Sequence, residues 1–307
     1  MRALVLGAGG MLGHRLWREL RGRIETFAAI RRPYREYASL GWFDDRRVID
    51  RIDATSDEDL DRAFRVARPD VVINAVGVVK QREEALDPVR SITINAMLPH
   101  QLAARAGNAG ARLVHLSTDC VFSGQRGSYR ESDVPDGMDL YGRSKLLGEV
   151  DRDGCLTIRT SMVGREIGSA QGLVEWFLRH RGERVRGFTR ARFSGLTTLE
   201  LARVITDVVT EGRGLQGVWH VAGEQISKFA LLSQLNETFG LGTAIEPDDS
   251  LVCDRTLDAT RFMNATGYRP PSWAAMVAEL AADPTPYDAW AHQWTSTAHG
   301  RSTVSTS

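Results

Sequence analysis

Apolar and polar residues alternate along the first half of the chain in blocks that predict strands separated by helices. A short apolar run such as Ala3–Leu6 is typical of a fully buried strand, whereas Leu12, Leu16 and Leu20 repeat at the spacing of one helix face. The pattern predicts strands at Ala3–Leu6, Ile24–Ile30, Val48–Ile49, Val71–Ile73, Leu113–Leu116 and Leu156–Ile158, and helices at Met11–Leu20, Asp57–Ala67, Ile92–Ala106 and from near Tyr141. Strands joined by such helices require right-handed crossovers, so we expect an α/β fold with a doubly wound, Rossmann-like parallel sheet.

The pattern loosens after Gly164, which indicates a second structural unit. Helices are predicted at Leu173–Arg179, Thr198–Val209 and Lys228–Phe239, and a strand at Val218–Val221. We therefore divide the chain into a sheet domain over 1–163, a smaller C-terminal α/β lobe over 164–294 that returns some strands to the main sheet, and a disordered tail over 295–307.

Composition excludes several classes of protein. The 39 Lys and Arg residues balance 39 Asp and Glu, so the chain lacks the wide positive field of a nucleic-acid or anionic-membrane binder. Cys120, Cys155 and Cys253 form no Cys-x-x-Cys pair, and the seven histidines show no metal-binding spacing, so we expect neither disulfides nor a metal site. The longest apolar run, Val71–Val79, is far shorter than the ~20 residues of a membrane helix. We expect a cytoplasmic protein with no nucleic-acid or membrane partner.

Three glycines spaced by two residues span the junction between the first predicted strand and the first predicted helix. In this position Gly7 permits a tight turn, Gly10 lets the backbone approach a pyrophosphate, and Gly13 allows close packing of helix on strand. The helix N-terminus, with the amides of Met11 and Leu12, would then face the phosphates. The sequence therefore predicts a dinucleotide site, with an ordinary glycine-rich turn as the alternative.

The end of the second strand favours NADP(H) over NAD(H). An NAD site places a carboxylate here for the ribose 2′-hydroxyl, but this chain has Arg31 and Arg32, whose guanidinium groups suit a 2′-phosphate. We expect NADPH as the cofactor and keep NADH open. The alternative is that both arginines are solvated loop residues.

A tyrosine and a lysine four residues apart form the candidate catalytic pair. Tyr141 and Lys145 fall on one face of a helix, and the chain contains few lysines, so a chance Tyr-x-x-x-Lys is improbable. A nearby ammonium would lower the pKa of the phenol and make Tyr141 a proton donor. Thr118, at the end of the fifth strand, can bring a hydroxyl to the same edge of the sheet, with Ser117 as the competing hydroxyl. A surface pair on a helix is the alternative.

These motifs together resemble the dTDP-4-dehydrorhamnose reductase-like branch of the extended short-chain dehydrogenases/reductases. The likeness rests on the glycine turn, Ser117–Thr118–Asp119 before Val121–Phe122, Tyr141–Gly142–Arg143–Ser144–Lys145, and Arg159–Thr160–Ser161. It implies NADPH-dependent reduction of a nucleotide-diphospho-4-keto-6-deoxysugar, with Thr118, Tyr141 and Lys145 as the catalytic triad and Tyr141 protonating the keto oxygen. It also implies that Lys145 holds the nicotinamide ribose, and that the cofactor is bordered by Asp53, Ala54, Ala75, Val76 and Gly77.

The resemblance is weaker on the substrate side. Rhamnose-forming relatives tend to carry a tryptophan where this chain has Met162, so the sugar stays undefined. We assign substrate contacts to Lys80, Met162, Trp176 and Arg255, with lobe packing as the alternative for Trp176. A basic run with six arginines between Arg179 and Arg192 is expected to be a solvated face, with diphosphate binding as the alternative. A homodimer is left open.

Three other functions share this fold or its motifs. A 4,6-dehydratase is not expected, because Cys120 stands where related dehydratases carry a glutamate. An epimerase, which keeps its nicotinamide bound through turnover, stays open. A non-catalytic nucleotide-binding subunit that regulates a partner enzyme is the third, against which the retention of Tyr141 and Lys145 argues.

Overall fold

A computed structural model of the protein describes residues 1–78, 87–168 and 171–291. Within these residues seven parallel strands form the central sheet, in the order β11-β6-β5-β4-β1-β2-β3. The strands of the chain are β1 Arg2–Leu6, β2 Glu25–Ala29, β3 Val48–Ile49, β4 Val71–Asn74, β5 Arg112–Leu116, β6 Cys155–Arg159, β7 Met162–Val163, β8 Arg184–Phe188, β9 Ala191–Phe193, β10 Leu196–Thr197, β11 Gly217–His220, β12 Ile226–Ser227, β13 Ala244–Asp248 and β14 Cys253–Asp254. The doubly wound α/β fold expected from the sequence is confirmed.

Helices cover both faces of this sheet. They are α1 Gly13–Arg21, α2 Arg35–Ala38, α3 Asp57–Ala67, α4 Pro88–Ser91, α5 Leu98–Asn108, α6 Leu140–Leu147, α7 Leu173–Arg179, α8 Thr198–Thr210, α9 Lys228–Phe239, α10 Thr260–Thr266 and α11 Trp273–Ala282. The sheet is buried between two apolar layers, because alternate side chains of β1 point to opposite faces: Ala3 and Val5 join the layer that contains α1 and α8, and Leu4 and Leu6 the layer that contains α3 and α5.

The strand order reverses beside β1, which pairs with β2 on one side and β4 on the other. The loops that follow β1 and β4 therefore leave the sheet in opposite directions and open a crevice at the carboxyl edge. Ligands of open α/β sheets bind at this kind of switch point. The predicted phosphate turn lies at this position.

The helix predicted over Ile92–Ala106 is interrupted in the structure. It begins earlier, as α4, continues as a π-helical turn over Ile92–Met97 and ends as α5. Pro99 has no amide to donate to the carbonyl of Asn95, so the α-helical bond at this point is lost and the wider turn takes its place. The hydrophobic pattern alone could not show this change.

The second half contains strands that the sequence interpretation missed. The basic run is not only a solvated face: β8 lies within it and pairs in parallel with β13, with ion pairs Arg184–Glu246 and Arg186–Asp248 across the two strands. Exposed arginines alternate with buried residues along β8, as in a strand with one solvent-facing side. From this half, β11 crosses back to pair with β6 in the main sheet. The tail over 295–307 lies outside the described residues.

Candidate active site

The glycine turn after β1 packs too closely to admit side chains. A Cβ on Gly13 would lie 2.1 Å from the carbonyl oxygen of Gly7, and Gly7 itself has φ +78°. The helix predicted from Met11 begins only at Gly13, so Met11 and Leu12 belong to the turn. Among the described residues the backbone amides of Met11 and Leu12 donate to no acceptor, which leaves two N–H groups for a ligand.

The turn lies directly against the residues that follow β4. A Cβ on Gly7 would come within 3.0 Å of the Ala75 backbone and 3.1 Å of Val76 Cγ2. Asn74, buried at the end of β4, accepts a hydrogen bond from the Val76 amide at 3.1 Å and so shapes this loop. The structure thus brings together the two stretches that the sequence assigned to the cofactor.

The residues predicted to bind the adenosine part of the cofactor follow β2 and β3. Arg31 and Arg32 are both exposed, and Arg32 also bonds Glu36 on α2 at 3.4 Å. Asp53 follows β3 and accepts hydrogen bonds from the amide and hydroxyl of Thr55 at 2.9 and 2.8 Å, which lower the pKa of Asp53. Ala54, its neighbour, is half-buried.

Tyr37 also contacts the phosphate turn, which the sequence interpretation did not predict. Its hydroxyl lies where it would be 2.6 Å from a Cβ on Gly9. Tyr37 is buried, and this burial raises the pKa of its phenol. A side chain at position 9 would therefore displace this ring.

The hydroxyls of Thr118 and Tyr141 meet at the carboxyl end of β5. Helix α6 begins after Asp139, whose side chain caps it by accepting from the Gly142 amide at 2.7 Å. Gly142 lets the helix lie against the loop after β5, because a Cβ there would be 2.2 Å from the Cys120 carbonyl oxygen. Thr118 hydrogen-bonds Tyr141 and donates to Asp119 Oδ1 at 3.1 Å.

The competing hydroxyl of Ser117 points elsewhere. It donates to Glu149 Oε1 at 2.6 Å, and Glu149 also receives two hydrogen bonds from Arg159, at 2.8 and 2.7 Å. The Glu149–Arg159 ion pair is buried. Of the two hydroxyls, Thr118 is the one that contacts Tyr141.

The ammonium of Lys145 is buried one turn beyond Tyr141 and donates to the carbonyl oxygen of Leu116. Burial lowers the pKa of Lys145 to about 8, and the carboxylate of Glu149, four residues later on the chain, opposes this decrease. The charge of Lys145 is therefore sensitive to pH near neutrality.

The pKa of Tyr141 differs from the sequence expectation. Desolvation raises the pKa of its phenol above the ordinary value, Cys120, Asp119 and Asp139 raise it further, and the hydrogen bond with Thr118 opposes the rise. Lys145 is not among the main influences on this pKa, so the expected lowering by the ammonium is not observed. The phenol is held in its protonated form, which is the form that a proton donor needs.

Asn95 is a site residue that the sequence gave no reason to select. It lies in the π-helical turn, accepts from the Val78 amide at 2.9 Å, and donates to the Val78 carbonyl at 3.1 Å and to Ser144 Oγ at 3.2 Å. It thereby joins the loop after β4, which contains Gly77, to the catalytic helix α6. The one available signal was a poor helix former in the middle of a predicted helix.

A cluster of charged groups, contributed by Asp119, Lys228 and Arg255, lies beside the candidate pair. Burial raises the pKa of Asp119, and the nearby Lys228 and Arg255 oppose that rise. The Arg255 guanidinium donates to the Phe122 carbonyl at 2.9 Å and lies 3.7 Å from Cys120 Sγ. Arg255 thus braces the loop after β5.

Lys228, at the start of α9, belongs to the same cluster and was not selected from the sequence. Its ammonium lies 4.1 Å from the centre of the Phe193 ring, and burial lowers its pKa. Within residues 1–78, 87–168 and 171–291 we find no hydrogen bond or ion pair of this ammonium. The side chain is half-buried and can still reach a ligand.

The other residues assigned to the substrate have different positions. Met162 is half-buried in β7, beyond the end of β6. Trp176 packs against His180 with 4.7 Å between ring centres and joins the main apolar layer, as its packing alternative predicted. Lys80 lies outside the described residues.

Two kinds of feature are absent from the described residues. No helix in this part of the chain has the length and apolarity of a membrane span. No group of three or more His, Cys, Asp or Glu side chains in the same part could hold a metal ion.

Comparisons with known proteins support the motif-based resemblance. The family model described as the RmlD substrate binding domain matches residues 1–283. The chain is 31% identical over 255 residues to the spore coat polysaccharide biosynthesis protein SpsK of Bacillus subtilis, covering 80% of this chain and 81% of SpsK. It is 25% identical to a dTDP-4-dehydrorhamnose reductase of Aggregatibacter actinomycetemcomitans, covering 92% of this chain and 98% of that protein.

Two further similarities bear on function and fold. The methionine adenosyltransferase 2 subunit beta of Xenopus tropicalis is 25% identical, over 78% of this chain and 72% of that protein. Among solved structures, a dTDP-4-dehydrorhamnose reductase of Bacillus anthracis in complex with NADP has a TM-score of 0.75 and 20% identity, covering 91% of this chain and 98% of that one. At that identity the likeness establishes the fold.

Proposed function

Because this chain belongs to the RmlD substrate binding domain family, we propose that it is an NADPH-dependent reductase of a nucleotide-diphospho-4-keto-6-deoxysugar. The observation that carries the proposal is the contact between the Thr118 and Tyr141 hydroxyls, with the Lys145 ammonium one helical turn away, at the carboxyl edge of a dinucleotide-type sheet. The named relatives, a dTDP-4-dehydrorhamnose reductase among them, support the same activity.

The phosphate turn fits a dinucleotide. Cβ atoms at Gly7 and Gly13 would fill the cradle, and the free amides of Met11 and Leu12 are the donors that a pyrophosphate needs. Gly10 keeps the approach open, Ala75, Val76 and Gly77 form the facing wall, and Asp53 and Ala54 border the adenine. Exposed Arg31 and Arg32 would hold the 2′-phosphate, which favours NADPH over NADH.

In the proposed mechanism the protein positions the sugar and controls one proton. When bound, NADPH supplies the hydride that reduces the keto carbon. Tyr141 donates its phenolic proton to the keto oxygen, Thr118 fixes the orientation of the phenol, and the Lys145 ammonium stabilises the phenolate that results. Because desolvation raises the pKa of Tyr141, the phenol holds its proton until the developing alkoxide accepts it.

The sugar would enter between this triad and the charged cluster of the lobe. Lys228 has an ammonium with no partner in the described part of the chain, so we assign it to a sugar oxygen, with Arg255 and Met162 as neighbouring contacts. Arg192, which lies with Phe193 in β9, and Arg190, which precedes that strand, are exposed and would attract the diphosphate. The identity of the sugar and of the base stays open.

The direct test is Tyr141→Phe, assayed with NADPH and a panel of dTDP-, UDP- and GDP-linked 4-keto-6-deoxysugars. Loss of a general acid lowers kcat by about 10²- to 10⁴-fold, whereas NADPH binding is retained. Tyr268→Phe is the matched control, because the Tyr268 hydroxyl bonds Glu200 at 2.8 Å on α8, away from the triad. Wild-type turnover in Tyr141→Phe would rule out the acid role.

A second candidate is a non-catalytic subunit that binds the dinucleotide and regulates a partner enzyme. The similarity to the methionine adenosyltransferase 2 subunit beta favours it. A wild-type chain that binds NADPH, consumes none with any sugar of the panel, and changes the activity of a methionine adenosyltransferase would establish this role. NADPH consumption with one of the sugars would exclude it as the main function.

A further inference from the structure

A buried series of hydrogen bonds connects residues beyond α11 to the phosphate turn. The hydroxyl of Tyr287 lies 2.7 Å from His14 Nε2, and His14 Nδ1 lies 2.8 Å from the carbonyl oxygen of Gly10. His14 is buried, and so is Tyr287. The Gly10 carbonyl immediately precedes Met11, whose amide donates to no acceptor in the described part of the chain.

The donor and the acceptor of each hydrogen bond in this series can be assigned. A carbonyl oxygen can only accept, so His14 donates from Nδ1. Burial lowers the pKa of His14 to about 3, so the ring is neutral at physiological pH and Nε2 carries no proton. Nε2 therefore accepts from the Tyr287 hydroxyl, which in turn accepts a hydrogen bond from Arg15. Every donor in this path thus points toward Gly10.

The segment that contains Tyr287 is held against α1 and the residues that follow α2. Arg15 forms a buried ion pair with Asp283, and its guanidinium lies 5.3 Å from the centre of the Tyr287 ring. Trp290 packs edge-on against Trp42 with 5.3 Å between ring centres. Tyr287 and Trp290 lie beyond residues 1–283, the span that the family model matches.

We propose that Tyr287 and His14 are positioning residues for the cofactor, which hold the Gly10–Met11 peptide so that the Met11 amide faces the pyrophosphate of NADPH. In a planar trans peptide the carbonyl oxygen and the following N–H point in opposite directions. A carbonyl held toward His14 therefore aims the Met11 N–H away from the helix interior. This inference rests on the dinucleotide-binding part of the proposed function.

The test is the dissociation constant of NADPH, measured by fluorescence titration of the full chain. Tyr287→Phe keeps the ring and removes the hydroxyl, and we expect Kd to rise about three- to tenfold, the loss of one neutral hydrogen bond. The kcat at saturating NADPH and the KM for the sugar stay at wild-type values. Tyr268→Phe, which removes a half-buried hydroxyl that donates to Glu200 on α8, leaves Kd unchanged.

Variants of His14 separate positioning from simple destabilisation. His14→Leu raises Kd, and adding Tyr287→Phe to it raises Kd no further, because both changes interrupt one path. The backbone amide of residue 14 donates to the Gly10 carbonyl at 3.2 Å in every variant, and His14→Asn restores a side-chain donor beside it and recovers part of the affinity. An unchanged Kd in Tyr287→Phe, or full additivity of the two changes, would overturn the inference.

Failure of the inference and failure of the proposed function give different results. A wild-type protein that binds NADPH but reduces no 4-keto sugar overturns the reductase and leaves the positioning role intact. A normal reductase whose Tyr287→Phe variant binds NADPH as tightly as wild type overturns only the positioning role. A wild-type protein that binds neither NADPH nor NADH overturns both.

Discussion

Glu149 connects the catalytic helix to a buried network beneath it. Its carboxylate accepts hydrogen bonds from Ser117 and Arg159, and its charge keeps the pKa of Lys145 from falling further. In the proposed mechanism Lys145 carries a proton to stabilise the phenolate of Tyr141, so its pKa of about 8 would place an upper limit on the pH range of activity. Glu149 would then act on catalysis through Lys145.

We predict that kcat/KM falls as pH rises through about 8, where Lys145 loses its proton. Glu149→Gln removes the charge that raises this pKa, so the decrease in kcat/KM on the alkaline side of the pH profile (the alkaline limb) begins at lower pH. Glu131→Gln is the control, because Glu131 accepts from the His220 amide at 3.0 Å and its charge acts on His220. An alkaline limb that stays in place in Glu149→Gln would contradict the assignment.

The sequence allowed candidate catalytic residues to be selected but did not predict their electrostatics. Thr118, Tyr141 and Lys145 were selectable because each follows a predicted strand or shares a helix face. The raised pKa of Tyr141 was not foreseen, because it arises from burial against Cys120 and Asp119, which come from another element. Lys228 and Asn95 escaped selection for a similar reason, since their partners are distant in the chain.

At the scale of elements, the contact between β1 and α1 determines the shape of the phosphate turn. Gly13 is the first residue of α1, and the Gly7 carbonyl lies where its side chain would be. The obstacle is backbone, which cannot rotate aside as a flexible side chain can. Any side chain at this position must push the helix away from the strand.

Gly13→Ala therefore lowers the free energy of unfolding by about 1 to 3 kcal/mol, as overpacking does in other cores, and weakens NADPH binding. Gly22→Ala, at the other end of α1, is the control: its Cβ would lie 3.5 Å from the Glu19 carbonyl, an ordinary contact. Chemical denaturation measures both changes. Equal stability of the two variants would refute the close packing of β1 on α1.

Three helices begin and end at the residues predicted from the sequence. The helices over Asp57–Ala67, Leu173–Arg179 and Lys228–Phe239 have the predicted ends. For the first, Ser56 supplies the N-cap by accepting from the Asp59 amide. The π-helical turn and the arginine-rich strand β8 were missed, because Asn95 and the ion pairs of β8 depend on partners that local patterns do not show.

At the scale of the whole molecule, buried neutral histidines join distant parts of the chain. His14 links α1 to Tyr287, His115 bonds Asn74 between β5 and β4, and His220 bonds the Tyr129 carbonyl. Burial lowers the pKa of all three, that of His14 to about 3. No local pattern predicts these links, since the two residues of a pair, such as His14 and Tyr287, are far apart in sequence.

These histidines predict acid sensitivity of the fold. Below about pH 6.5 the unfolded chain binds protons on them that the native protein does not, so stability falls as pH decreases. Between pH 7 and 5 the free energy of unfolding should fall by up to ~1.4 kcal/mol per pH unit for each histidine. Urea denaturation across this range measures the slope, and His115→Gln should make it shallower. A stability that is constant from pH 7 to 5 would contradict the prediction.

The most direct test of the proposed reductase follows the transferred hydrogen. The protein is incubated with NADPH that carries deuterium at both hydrogens of nicotinamide C4 and with the 4-keto-6-deoxysugar nucleotide that it consumes, and the product is examined by mass spectrometry and NMR. We predict one deuterium at sugar C4 with the wild-type chain, and product formation slowed by about 10²-fold or more with Tyr141→Phe. A product without deuterium, or NADPH that stays unconsumed across the whole panel of sugars, would contradict the account.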